Sequence, residues 1–297
     1  MDLETKSALL RAKPPFDLLQ SFRFIERFHG PRFGMECDDQ HHRRAGIIDD
    51  TIFLVNITAG PSTDEIRCDI STRTKIDRTM VAKITQQITD YLSLEDDLGE
   101  FYSLAKGDKV FEDLLKKSYG YHQVRFFTPF EAAAWSIITQ RFPVERSRTI
   151  MERIATEIGG SIDLDGHTFL AFPEAHNILK NLDRLHIIVT NKRKTEYLTA
   201  AAEAFDKVDQ EFFKKGSYSE VLGWLKGIKG IGDWSASLIL IRGMGRVEQT
   251  TTARSIPKER AMKDYHIEGD PDALKRIASR YGNYQGLWEH YLLYWMD

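Results

Sequence analysis

The spacing of apolar and polar residues divides the sequence into a mixed α/β part and a helical part. In the first part, Ile52–Ile57 is a run of β-forming residues, and Glu65–Ile70 alternates polar with apolar positions. The Gly60–Asp64 segment between them is a turn sequence, so the two runs predict an antiparallel hairpin. The polar run His41–Arg44 is expected to form a basic turn, and Val81–Leu92 has helical spacing.

After about residue 116 the pattern is interpreted as helical throughout. Thr128–Glu131 is a capping box with proline at the first helical position, and it opens an apolar helix that ends near Gln140. Further helical spacing continues along the rest of the chain. We therefore predict an α+β fold, in which residues 1–115 form a small domain with an antiparallel sheet and residues 116–297 form an all-α domain.

A glycine-rich turn, Leu225–Ala236 (LKGIKGIGDWSA), lies between two apolar helical patterns. Gly227, Gly230 and Gly232 allow the backbone to approach another group closely, because no Cβ intervenes. The second pattern begins at the turn, so its free N–H groups and positive dipole end suit a phosphate. The alternative is a tight helix–helix turn that serves packing only.

Composition and charge narrow the class of protein. The chain has 297 residues, and its 42% hydrophobic and 29% charged content is ordinary for a globular protein. A net charge of −3 does not indicate nucleic-acid binding, but a local basic face is sufficient to meet a phosphate backbone. Cys37 and Cys68 are too few for an iron–sulfur cluster and indicate a reduced setting. Because no stretch has membrane-spanning length, we expect a cytoplasmic protein with no membrane partner. We also expect it to be a monomer.

The glycine turn resembles the helix–hairpin–helix of the HhH-GPD superfamily of DNA glycosylases. Pro129–Gln140 (PFEAAAWSIITQ) is similar to the segment that opens the helical domain of that superfamily. Lys13–Asp17 (KPPFD) resembles the start of the N-terminal α/β domain in its AlkA-like branch, the bacterial 3-methyladenine-DNA glycosylase II. The resemblance implies a protein of base-excision repair whose partner is double-stranded DNA with alkylated bases, associated with the nucleoid if prokaryotic.

The resemblance also assigns roles to the hairpin. Its backbone amides would hold a DNA phosphate, and a lysine beside them would add charge; the residues are Lys229, Gly230, Ile231 and Gly232. A sodium or potassium ion is the one cofactor that the resemblance allows, and backbone carbonyls would coordinate it; those residues are Lys226, Ile228 and Ile231. Alanine at Gly230 or Gly232 is then expected to weaken DNA binding with little loss of fold.

Two further segments are assigned to the DNA interface by the resemblance. Gln140 and Arg141 stand where the family has a glutamine near the DNA and a side chain that fills the gap left by a flipped base. Flipping is needed because the glycosidic carbon cannot be reached inside the duplex. Asn191–Lys194 is placed like a family segment near the DNA backbone, and lysines at a helix start oppose the helix dipole, which hints at a use.

Trp234 occupies the hairpin position that separates mechanistic subclasses of the family. Bifunctional members have a lysine there, which attacks the sugar as an amine, so a Schiff-base lyase mechanism at this position is excluded. The ring suits stacking on a cationic alkylated base, and Trp135 is the second aromatic residue assigned to the base pocket. The alternative is that Trp234 is a core residue of an apolar helix.

The essential carboxylate of the family is missing from its expected position. By the resemblance, the acid should follow the second hairpin helix, and the position falls on Ala253 or Arg254. A guanidinium would oppose the positive charge that develops on the sugar. Another acid is one alternative, and the candidates are Glu248, Glu259, Asp233 and Asp264.

Three functions therefore stay open. The first is monofunctional hydrolysis of the N-glycosidic bond of alkylated purines, and the second is a lesion-binding module that flips a base without cleaving. In the second, a set of cationic residues, Arg254 among them, would present charge to phosphates; the others are Arg242, Arg246, Lys258 and Arg260. The third is a helical scaffold with no role on DNA.

Overall fold

The structure is a computed structural model that describes residues 3–250, 257–268, 270 and 272–295. Its strands are β1 (Glu4–Arg11), β2 (Glu36–Cys37), β3 (His41–Ile48), β4 (Thr51–Ala59), β5 (Glu65–Thr72), β6 (Gly160–Leu164) and β7 (His167–Ala171). Its α-helices are α1 (Leu18–Arg27), α2 (Arg78–Tyr91), α3 (Leu98–Leu104), α4 (Lys109–Lys117), α5 (Pro129–Ile138), α6 (Val144–Ile154), α7 (Ala175–Lys180), α8 (Leu182–Val189), α9 (Lys192–Lys207), α10 (Glu211–Lys215), α11 (Tyr218–Gly227), α12 (Asp233–Leu238), α13 (Pro257–Asp264), α14 (Ala273–Ser279) and α15 (Gln285–Trp295). The predicted α+β class is confirmed.

The N-terminal part is built on a five-stranded antiparallel sheet in the order β1-β5-β4-β3-β2. The predicted hairpin is β4–β5, in which Val55 pairs with Ile70 and Ile57 with Cys68. The prediction of a turn at His41–Arg44 is wrong, because this run begins β3. Its alternate residues are buried, and the polar side chains that enter the interior find partners there.

The prediction that the chain is entirely helical after residue 116 is also wrong. Strands β6 and β7 form a second hairpin around Asp165 and Gly166, both with positive φ, as a tight two-residue hairpin turn requires. The Asp-Gly pair was the sequence signal for this turn. The hairpin covers the second face of the large sheet, where Ile162 and Phe169 pack with Leu54.

Two larger cores complete the fold. Alternation along β4 sends Phe53 and Val55 to the face opposite Leu54, where they pack with the N-terminal helices. The C-terminal helices join this same core through buried aromatic residues such as Trp288 and Tyr291. Helices α5 to α12 enclose a separate core of their own. Among the described residues, no helix combines the length and apolar composition that crossing a bilayer requires.

One buried ion pair joins the sheet to the helical part. Nη2 of Arg44, on β3, lies 2.8 and 2.7 Å from the two carboxylate oxygens of Glu131, in the first turn of α5. Thr128 caps the same turn by accepting a hydrogen bond from the Glu131 amide. The guanidinium also lies over the ring of Phe127, 4.6 Å from its centroid. The N-terminus of α5 is therefore fixed against the sheet.

We expect Arg44→Met and Glu131→Leu each to lower the free energy of unfolding by about 3–5 kcal/mol, because each leaves an unpaired buried charge. The double variant should lose much less than the sum, since it removes both charges. Urea unfolding followed by circular dichroism measures all four proteins. Additive losses would show that the two side chains contribute independently.

Candidate nucleic-acid interface

The glycine turn lies between α11 and α12, as the sequence predicts. Ser217 and Glu220 form a capping box at the start of α11. Gly232 is the N-cap of α12, and no side-chain hydrogen bond caps this helix. Backbone amides at the start of a helix without a side-chain cap are available to an outside acceptor such as a phosphate oxygen.

The two glycines of the turn have different structural roles. Gly230 has φ +96°, and a Cβ placed there would lie 2.2 Å from the ring of Tyr197. Gly232 has ordinary φ, and a Cβ there would meet nothing within 4 Å. The expectation that alanine is harmless to the fold at both positions is therefore wrong for Gly230, which needs glycine for conformation and for space.

The turn forms one wall of an open cleft of about 820 Å³. Five cationic side chains line the cleft, and they are Arg141, Arg193, Lys194, Lys226 and Lys229. Lys226 pairs with Asp233 at 2.7 Å and Lys229 with Glu196 at 3.0 Å, and all four side chains are substantially exposed. Exposed pairs of this kind contribute little to stability, so these lysines can exchange a carboxylate for a phosphate at small cost.

The segment that follows α5 also lines the cleft. Gln140 donates from Nε2 to the carbonyl oxygen of Gly230 at 2.9 Å, so it braces the hairpin from within the protein. Arg141 is exposed and has φ +57°, a left-handed conformation that is costly for a side chain of this size. It makes no ion pair with any described residue. Gln140 is thus bonded to the turn, as predicted near the DNA. Arg141, the predicted wedge that fills the gap left by a flipped base, is exposed to solvent beside it.

Lys194, on α9, is the buried cation of the cleft. Its Nζ donates to the backbone carbonyl oxygens of Ile137, Ile138 and Gln140 at 2.9, 2.7 and 2.6 Å. Burial, together with the charge of Arg146, lowers the pKa of Lys194 to about 8. Sequence reasoning placed this residue near DNA and missed its contacts with α5, because no local signal links positions so distant in the chain.

The two predicted pocket tryptophans lie in different surroundings. Trp234 lines the cleft and is 41% exposed, so the alternative of a core position does not hold for it. Trp135 is 8% exposed and packs in the core of the helical part, and it is not among the lining residues of the cleft. Trp234 is therefore the predicted tryptophan that a base in this cleft could reach, and the cleft is also lined by Phe142 and Tyr197.

The candidate acids are dispersed. Glu248 accepts from Nε and Nη2 of Arg246 at 2.7 and 2.6 Å, and Arg246 also donates to the carbonyls of Phe213 and Gly216. This network holds Glu248 toward α10 and α11. Asp233 lies at the cleft in its pair with Lys226. Asp264 lies in α13, while Ala253 and Arg254 and the side chains of Lys258, Glu259 and Arg260 lie outside the described residues.

Two arginines assigned to phosphates face elsewhere. Arg242 is buried against the rings of Phe24 and Phe28 and donates from Nη1 to the hydroxyl of Tyr294 at 2.9 Å. Arg246 is taken up by Glu248 and backbone carbonyls. The interpretation of this segment as a basic, phosphate-facing loop is wrong for both, because helical packing turns them inward. The basic surface is instead formed by the cationic side chains that line the cleft.

Comparisons with known proteins identify the fold. The Archaeoglobus fulgidus 3-methyladenine DNA-glycosylase superimposes with a TM-score of 0.79 at 21% identity, over 96% of this chain and 97% of that one. The chain has the fold of the HhH-GPD DNA glycosylases. The Clostridium acetobutylicum 8-oxoguanine glycosylase/lyase in complex with double-stranded DNA gives a TM-score of 0.69 at 18% identity, over 99% and 97% of the two chains.

A sequence relative agrees with this HhH-GPD fold. The DNA-3-methyladenine glycosylase of Bacillus subtilis (strain 168) is 28% identical over 164 residues, which are 54% of each chain. The chain thus matches about half the length of this curated relative. No protein-family model matches the chain. The resemblance of the hairpin sequence to the HhH-GPD superfamily is confirmed by these glycosylases.

We expect Gly230→Ala to lower the free energy of unfolding by about 1–3 kcal/mol or more, because it adds strain at positive φ and a collision with Tyr197. Gly232→Ala is the matched control and should cost less, about 0.5–1 kcal/mol, because a Cβ has room there but alanine is a poorer N-cap than glycine. Thermal unfolding of the three proteins measures both changes. Equal stability of the two variants would mean that the turn does not hold Gly230 against the tyrosine ring.

Proposed function

We propose that this protein binds damaged double-stranded DNA through the α11–α12 hairpin, flips a base, and hydrolyses the N-glycosidic bond of alkylated purines without a covalent intermediate. The observation that supports this most directly is one cleft that contains the glycine turn, the exposed Arg141 and the exposed Trp234. The similarity to 3-methyladenine and 8-oxoguanine glycosylases supports the class of activity. We further propose that the protein acts as a monomer in the cytoplasm, at the nucleoid in a prokaryote.

In this proposal the cleft binds the DNA backbone electrostatically. A phosphate oxygen accepts from the amides around Gly232, and Lys226 and Lys229 leave their surface carboxylates to neutralise neighbouring phosphates. A sodium or potassium ion on the carbonyls of Lys226, Ile228 and Ile231 would add positive charge to the turn. The Ile228 oxygen already accepts from the Ile231 amide at 3.0 Å, and a carbonyl oxygen retains a second lone pair for an ion.

Arg141 fills the space that the flipped base leaves. Its planar guanidinium can stack on bases, and the residue is exposed, with a left-handed backbone. Strain of this kind persists where the surroundings impose it, and it is concentrated at functional sites. The flipped base would stack on Trp234, which carries no amine, so the sugar is attacked by water.

The alternative is a lesion-binding module that flips a base without cleaving it. One observation favours it: Glu248, the acid that precedes the expected position, accepts at Oε1 from both Nε and Nη2 of Arg246. Asp233 is the acidic side chain nearest in sequence to Trp234, and its partner Lys226 is a residue that DNA would draw away. The two functions are separated by base release.

We expect the protein to release free 3-methyladenine and 7-methylguanine from alkylated duplex DNA, measured by chromatography, with no strand nick and no borohydride-trapped adduct. Asp233→Asn and Glu248→Gln test the two candidate acids. The variant that abolishes base release while DNA binding persists identifies the acid. Tight lesion binding without release supports the binding module, and release gained by Arg254→Asp would then show that only the acid is missing. If the affinity for duplex DNA does not fall as salt is raised, the helical scaffold with no role on DNA is the function that remains.

We expect Arg141→Gly to raise stability by about 1 kcal/mol, because it relieves the left-handed strain. The same change should reduce base flipping, measured as the fluorescence rise of 2-aminopurine placed in the duplex. Lys116→Ala is the charge control, since it removes one exposed cation that does not line the cleft. A variant that flips as well as the wild type would rule out Arg141 as the wedge.

A further inference from the structure

The C-terminal end of α5 is closed by an ammonium group. The last carbonyls of a helix have no partner within it, and they carry its negative dipole end. At α5 the Nζ of Lys194 fills this role with hydrogen bonds to the carbonyls of Ile137, Ile138 and Gln140. The Nζ also lies 4.1 Å from the ring centroid of Phe142. Lys194 is 6% exposed, so water contributes little to this arrangement.

The segment that Lys194 holds is the wall of the cleft. Gln140, whose carbonyl accepts from Lys194, donates through its side chain to Gly230 of the hairpin. Arg141 follows directly, with its left-handed backbone, and Phe142 covers the ammonium. A single cation therefore connects the start of α9, the end of α5 and the glycine turn.

A lysine at this position destabilises the fold unless its charge is compensated by contacts. A cation in the first turn of α9 opposes the dipole of that helix, and a buried charge must be compensated. None of its described partners is a carboxylate, so three carbonyl dipoles and an aromatic face supply the compensation. Carbonyls at an exposed helix end are satisfied by water, which would leave the following loop free to move.

We infer that Lys194 is a positioning residue for base flipping: by binding the carbonyl end of α5, it fixes Gln140 against the hairpin and aims Arg141 at the DNA. The inference rests on the proposed function, since it assigns the device that orients the wedge. Lys194 itself touches neither the DNA base nor the sugar in this account. Removing it should impair flipping more than it impairs binding of the phosphate backbone.

The test compares Lys194→Met with Lys207→Met in the full chain. Both variants lose one charge on α9, but Lys207 is exposed in the last turn of the helix and does not line the cleft. Affinity for undamaged duplex, measured by fluorescence anisotropy across a salt series, should be similar in the two. The 2-aminopurine fluorescence rise should fall about tenfold in Lys194→Met alone, as expected for loss of hydrogen bonds from a charged group.

A second variant keeps the inference testable if Lys194→Met unfolds. Lys194→Ala removes the propylammonium part of the side chain, and added n-propylammonium should restore flipping, whereas tetramethylammonium at equal ionic strength should not. Equal flipping by the Lys194 and Lys207 variants, or no rescue of a folded Lys194→Ala, would overturn the inference. A wild type that binds duplex without any fluorescence rise would instead overturn the proposed function, so the wild-type trace tells the two failures apart.

Discussion

The pair formed by Arg44 and Glu131 anchors helix α5, and the segment after this helix lines the cleft. It fixes the first turn of α5 to the sheet, in an interior where neither charge reaches water. Lys194 binds the last carbonyls of the same helix. Helix α5 is thus held at both ends by buried cations, one paired with a carboxylate and one with backbone dipoles. A short rigid helix fixed in this way can transmit the geometry of the sheet to the loop beside the hairpin.

Local patterns predicted the elements whose geometry is local. The glycines and flanking apolar residues of Leu225–Ala236 were sufficient to predict the hairpin, and the β4–β5 hairpin followed from its turn. The prediction of a turn at His41–Arg44 failed because a polar residue can be buried when the interior supplies a partner. Glu131 is that partner for Arg44. The β6–β7 hairpin was missed because its strands are short and the Asp-Gly signal stood inside a helical context.

The site was less predictable than the fold, since side-chain roles depend on contacts between distant segments. Gln140 was correctly placed beside the hairpin, but its bond to Gly230 joins residues 90 positions apart. Arg242 and Arg246 illustrate the converse error. A run of cations suggests a solvated surface, yet aromatic rings and carbonyls can receive guanidinium groups inside the protein. Sequence gives the charge, and packing decides where it points.

The shared core of the N- and C-terminal helices has a consequence for how the chain is made. Phe101 and Phe111 pack against Tyr281 and Tyr291, residues separated from them by the entire helical part. Domains usually fold in order as they leave the ribosome. Here the first core to begin is among the last to be completed, because its final aromatic residues are synthesised after the hairpin. During translation the early helices therefore expose apolar surface until the C-terminal helices emerge, and such surface favours aggregation.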